Sequence, residues 1–205
     1  MKPMITLFTA PKPFVDPHIA TIQRNAVRSW LALGSDVEVV LLGSDPGVAE
    51  AAQALAPRAH VIRAASPVRL DDEAAVRGRR VLVVEDGPTL THGGMPWGAG
   101  HLAALRAGAE IVDPRPFAGP AIRALYTRYP HIGEVLPATG YSREQLDALR
   151  QTINATPADL VVSATPIDLA ALIPVHKPVL RARYEFAELE SPGLAGAVDA
   201  FLARR

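Results

Sequence analysis

Four consecutive apolar residues, Val81-Leu82-Val83-Val84, three of them β-branched, run into two carboxylates and a glycine-proline break, Glu85-Asp86-Gly87-Pro88. Such a run fits a strand buried on both faces. A strand of that kind needs a neighbour on each side and helices above and below, which restricts the chain to a layered α/β arrangement. The rest of the sequence agrees. Apolar runs at residues 4–9, 37–42, 60–63, 110–112, 159–164 and 179–186 alternate with segments of helical spacing. Asp16 reads as an N-cap before Pro17, with Ile19, Ile22, Ala26, Trp30 and Leu33 on one face. Residues 120–129 read as a second helix. Ser142 with Gln145 forms a capping box ahead of Leu146, Leu149 and Ile153. We expect a Rossmann-like α/β fold with a mostly parallel sheet and helices on both faces, in which both halves of the chain can share one sheet.

The apolar run is followed by a loop of small and hydroxylic residues, Thr89, Thr91, His92, Gly93, Gly94, Gly98 and Gly100, and then by a helical pattern from about His101. Strand, glycine-rich loop and helix is the order in which α/β proteins build anion sites. Glycine lets backbone approach a ligand, and a helix N-terminus presents unpaired N–H groups. The spacing matches neither G-x-x-x-x-G-K-[ST] nor G-x-G-x-x-G, so an irregular connection is the competing reading. The carboxyl ends of parallel strands lie along one edge. That edge can gather Glu85 and Asp86, Asp113 with Arg115, and Thr165 with Asp168. Arg115 suits a phosphate or carboxylate, or else a salt bridge to Asp113. His92 suits proton transfer or phosphate binding. We read His101 as facing solvent and His131 as structural. Trp97 either plugs the core or stacks on a ligand ring. Asp168 fits a base-recognising carboxylate in Ala164-Thr165-Pro166-Ile167-Asp168, or the N-cap of a helix.

Composition narrows the functional classes. Lys plus Arg number 21 and Asp plus Glu 21, so no net field draws the protein to nucleic acid or an anionic membrane. Cysteine is absent, which removes disulfides and thiolate metal sites. No apolar run approaches the roughly 18 residues of a membrane span, and MKPMITLFTAPKP does not read as a secretory leader. The expected location is the cytoplasm. The acidic cluster Asp71-Asp72-Glu73 reads as solvated surface.

Two resemblances divide the chain. The blocks VLVVEDGPTLTHGGMPWGAG, EIVDPRPFA, YPHIGEVLPATGYS and ATPIDL, in that order, resemble the C-terminal half of the cyclic 2,3-diphosphoglycerate synthetase-like predicted GTPases over residues 54–205. Residues 1–50 resemble the first βαβ unit of a family 2-like glycosyltransferase, without the D-x-D metal motif. The first resemblance implies a nucleotide- or phosphometabolite-handling protein using ATP or GTP with Mg²⁺. It assigns Glu85, Asp86 and His92 to catalysis and Glu85 and Asp86 to the metal. Thr89, Thr91, Gly93, Gly94, Gly98, Gly100, Asp113 and Arg115 would hold substrate phosphates, and Thr165 and Asp168 the base. The partners it implies are a small phosphorylated metabolite or nucleotide, with homo-oligomerisation through unpaired sheet edges as a further possibility. The chain has no Walker A sequence, which leaves a triphosphate without its usual backbone nest. A glycosyltransferase-like protein and a non-catalytic phosphate-binding domain are the alternatives.

Overall fold

The computed structural model describes residues 5–34, 37–59, 61–138 and 142–203. In chain order the elements are β1 (Ile5–Thr9), α1 (Pro17–Leu31), β2 (Val37–Leu41), α2 (Val48–Leu55), β3 (Ala64–Ala65), β4 (Val68–Leu70), β5 (Arg80–Asp86), α3 (Gly87–Thr91), α4 (Ala99–Arg106) and β6 (Glu110–Ile111). There follow α5 (Pro120–Arg128), β7 (Leu136–Ala138), α6 (Arg143–Ala155), β8 (Leu160–Ala164), α7 (Leu169–Leu172), β9 (Val179–Tyr184), β10 (Ala187–Glu188) and α8 (Leu194–Leu202). The chain divides into two compact units, Met1–Arg63 with Glu190–Arg205, and Ala64–Leu189.

In the first unit β1 and β2 run parallel, with Ile5 opposite Val37. Asp16 caps α1 as its sequence indicates, accepting from His18 N and Ile19 N at 2.9 Å each. Phe14, Ala20, Val48 and Ala51 form the small core. Among the described residues β1 and β2 pair only with each other.

The second unit holds a sheet in the order β4-β9-β8-β5-β6, with β7 also on β5. All pairings in it are parallel except β4 with β9. This is the mostly parallel α/β arrangement expected, and β5 shows why. Val81 and Val83 point into a core shared with Ala103, Ala104 and Ala107. Leu82 and Val84 point into another with Ile122, Leu149 and Ile153. A period of two on a strand covered on both faces turns a continuous apolar run into two cores. Both carboxylate oxygens of Asp159 fasten the first residue of β5, taking Arg80 N and the Arg80 guanidinium at 3.0 Å each.

Three local expectations need correction. Residues 61–63 form no strand, and His60 lies outside the described residues, as does Met4. Residues 87–91, expected as loop, make the short helix α3. Asp86 caps it and Pro88 sits in its first turn, a start signal masked by the glycine-rich composition. Leu136–Ala138 form a strand, β7, with Pro137 at its centre. The residues nevertheless pair with Val84, Glu85 and Asp86, at an edge where a missing N–H is tolerated. The capping box at Ser142 is present as read.

Candidate functional site

Within the second unit β8 pairs with β5 along residues 81–85, so β6 and β7 must both lie on the other side of β5. The chain leaves β5 in one direction and later returns across it to β8 and β9. That reversal makes the carboxyl ends of β5 and β8 a topological switch point, where open α/β sheets form a ligand crevice. Glu85 and Asp86 end β5, Thr165 follows β8, and Tyr184 ends β9. Burial first, then the charges of Glu85 and Asp86, raise the Tyr184 hydroxyl above its ordinary range.

Strand alternation sends the two carboxylates to opposite faces. Glu85 follows Val81 and Val83 toward α4 and is 1% exposed. His101 N donates to its Oε1 at 2.7 Å, and Gly98 N and Gly100 N donate as well. The N-terminus of α4 is thus satisfied by the protein's own carboxylate. The glycines make this approach possible. A Cβ on Gly98 would lie 2.4 Å from Glu85 Oε2, and one on Gly100 would lie 2.4 Å from Ala164 Cβ.

Burial pushes the Glu85 carboxyl above its ordinary range, outweighing the three N–H groups that pull it down, and the Asp86 charge adds to the rise. An acid whose folded pKa is raised binds its proton more tightly in the native state. Its contribution is therefore greatest while it is protonated and declines as pH rises through the folded pKa. We expect the unfolding free energy of the wild type, relative to Glu85→Gln, to fall as pH climbs past 4.5 and then to level off. Chemical denaturation across the acid range tests this, and a difference that stays flat would sink it.

The other residues expected at the site fall into separate groups. Asp86 accepts from Thr89 N at 3.3 Å and Thr89 Oγ1 at 3.1 Å. Thr91 Oγ1 donates to Gly87 O at 2.9 Å and lies 3.0 Å from His92 Nδ1. A Cβ on Gly93 would meet Thr89 O at 2.4 Å, and Gly94 has φ +67° with open space around it. Arg115 holds Asp113 with Nε and Nη2, the closest contact being 2.7 Å. Burial pushes the Asp113 carboxyl up, but Arg115 outweighs it and holds the group low. Thr165 Oγ1 accepts from Ile167 N at 3.4 Å, and Asp168 caps α7 through Ala171 N at 3.2 Å. His131 bonds Leu90 O at 2.8 Å, structural as read.

These placements also test Mg²⁺. Glu85 is enclosed by backbone donors, Asp86 faces the other way, and among the described residues no group of three His, Asp or Glu side chains is placed to hold a metal ion.

His101 departs from its expected solvent position. It is 8% exposed, its ring stacks on Trp97 with centroids 5.3 Å apart at 21°, and its Nδ1 has no hydrogen-bond partner among the described residues. Burial lowers its pKa, opposed by the Glu134 charge. The signal for burial was present in the sequence. His101 shares a helical stripe with Ala104, one position after a glycine that must pack closely. Trp97 is 40% exposed.

No protein-family model matches the chain, and no solved structure matches it. Over 153 residues it is 49% identical to arginine synthetase ArcE of Thermococcus kodakarensis. That match covers 74% of this chain but 34% of the relative, so the chain spans about a third of that protein's length. A match of 153 residues in a chain of 205 necessarily includes the central part, and with it Glu85, Gly98 and His101. No helix among the described residues is long and apolar enough to cross a membrane.

Proposed function

We propose that residues 64–189 form the small-molecule-binding domain of a synthetase, with the ligand held at the carboxyl ends of β5 and β8. The observation that carries this reading is the 49% identity to a synthetase over a stretch that includes Glu85, Gly98 and His101. By that relative's name the small molecule is arginine or the precursor from which arginine is made. The resemblance to the cyclic 2,3-diphosphoglycerate synthetases supports the same class of reaction, with ATP or GTP and Mg²⁺ as co-substrates. It differs in the metabolite. Two features favour the amino acid over a phosphorylated glycerate. The α4 N-terminus is filled by Glu85, and the Arg115 guanidinium is already engaged by Asp113. Neither is left open to a phosphate.

The triphosphate belongs elsewhere in this reading, because the chain carries no Walker A sequence. The proposed role of this domain is to bind and orient the small molecule. Glu85 holds the start of α4 rigid against β5, and with it the loop that ends in Trp97. Isothermal titration with L-arginine, 2,3-diphosphoglycerate, ATP and GTP, the nucleotides with Mg²⁺, is the direct test. The expected result is heat with arginine and none with the diphosphoglycerate or with either nucleotide alone. Binding of the diphosphoglycerate without arginine would overturn the assignment, as would hydrolysis of either nucleotide by this chain.

A further inference from the structure

Ser163, next to the last residue of β8, is 1% exposed, and its Oγ makes no hydrogen bond among the described residues. A buried hydroxyl in that state is rare in a folded protein and needs an explanation. Register gives its surroundings. Ser163 lies opposite Val84 of β5 on one side and Arg181 of β9 on the other. Val161 and Val179, two residues earlier on β8 and β9, face the core that holds Leu149 and Ile153. By the period of two, Ser163 and Arg181 face that same side of the sheet.

Arg181 is half-buried, and its guanidinium reaches toward the strand ends, where Nη2 donates to Pro166 O at 3.2 Å. Pro166 belongs to the turn after β8, so the cation sits at the switch point. Among the described residues Arg181 forms no ion pair. Arg115 is taken by Asp113, Arg80 by Asp159 and Arg183 by Asp71. The Arg181 charge acts on Asp71, but Arg183 already holds both oxygens of that carboxylate. A guanidinium has N–H donors to spare after one contact to a carbonyl. A cation without a carboxylate and a hydroxyl without a partner therefore stand side by side, one row below the crevice.

We propose that Arg181 and Ser163 anchor the α-carboxylate of the amino acid at the switch point, the guanidinium fork taking both carboxylate oxygens and the serine hydroxyl donating to one of them. The inference rests on the small-molecule reading above and adds which part of the molecule is gripped, and by what. The hydroxyl is enclosed until the ligand arrives, so entry of the carboxylate draws Arg181 away from Pro166 O. A synthetase holds a precursor and a product in turn, and its fixed anchor has to meet a group that the two share. The α-carboxylate is such a group, whereas the reacting end changes. The anchor therefore accepts L-arginine and its uncharged ureido analogue L-citrulline alike. It rejects agmatine, which is arginine without the carboxylate.

Isothermal titration of the full chain with these three compounds reads the anchor directly. L-arginine and L-citrulline should bind, and agmatine should bind about thirtyfold more weakly than arginine. Arg181→Ala, its fold checked by circular dichroism, should weaken both amino acids to the same degree, again about thirtyfold. Ser163→Ala should weaken both about fivefold and leave the unfolding midpoint no lower, since it removes a hydroxyl that has no partner in the free protein. Agmatine binding as tightly as arginine would overturn the proposal in the unaltered protein. An arginine affinity unchanged in folded Arg181→Ala would do the same, as would displacement of arginine by an equal concentration of inorganic phosphate. Unchanged affinity in Ser163→Ala would overturn the part given to the serine. Each of these results leaves the small-molecule reading standing. Absence of binding by either amino acid to the unaltered protein would remove that reading and the anchor together.

Discussion

Glu85→Ala lowers the stability of the 64–189 unit by about 4 kcal/mol. The side chain is buried and receives backbone N–H groups from Gly98, Gly100 and His101. Truncation leaves these three donors facing an apolar gap between β5 and α4. Each buried donor left without a partner costs roughly 1–3 kcal/mol, and the favourable charge at the start of α4, worth about 1 kcal/mol, goes as well. Removing a carboxylate that burial already disfavours offsets part of this loss. Denaturant unfolding of the full chain provides the measurement. A loss under about 1 kcal/mol would mean that water replaces the carboxylate and that Glu85 is not what holds α4 in place. Glu85→Gln should fall between the two, since an amide oxygen accepts some of these bonds while its NH₂ opposes the rest.

Gly87→Ala costs about 3 kcal/mol by overpacking. A Cβ there would lie 2.3 Å from Ala138 O, and the obstacle is backbone within a paired strand, since Ala138 sits opposite Asp86. No rotamer change relieves it; β7 has to move away from β5. Gly94→Ala is the contrasting substitution. Nothing lies within 4 Å of its Cβ, but its φ of +67° penalises any side chain, at about 1 kcal/mol. Unfolding midpoints of the two variants separate a steric cost from a conformational one. If Gly87→Ala proves no worse than Gly94→Ala, the close approach of β7 to the start of α3 is not a constraint on the fold.

Both effects arise where the chain packs against itself, and that marks the boundary of what could be read from the sequence. The apolar run at 81–84, the Asp16 cap and the Ser142–Gln145 box appear in the structure as read. Each depends on residues within about four positions of one another, so local spacing specifies it. Asp113 with Arg115 and Asp168 as a cap are also local, and they take the simpler of the two roles that the sequence left open.

The identity of the anion at α4 was not legible. A glycine loop before a helix indicates that some acceptor comes close. Only the register of β5 against β8, which puts Glu85 beside Ala164, decides that the acceptor is Glu85. The pairing of β7 through Pro137, the stacking of His101 on Trp97 and the approach of Gly133 to that indole are of the same kind. Local propensity sets which elements form and where they begin and end. Strand order and side-chain packing over long separations decide which polar group meets which, because those contacts exist only once the sheet has closed.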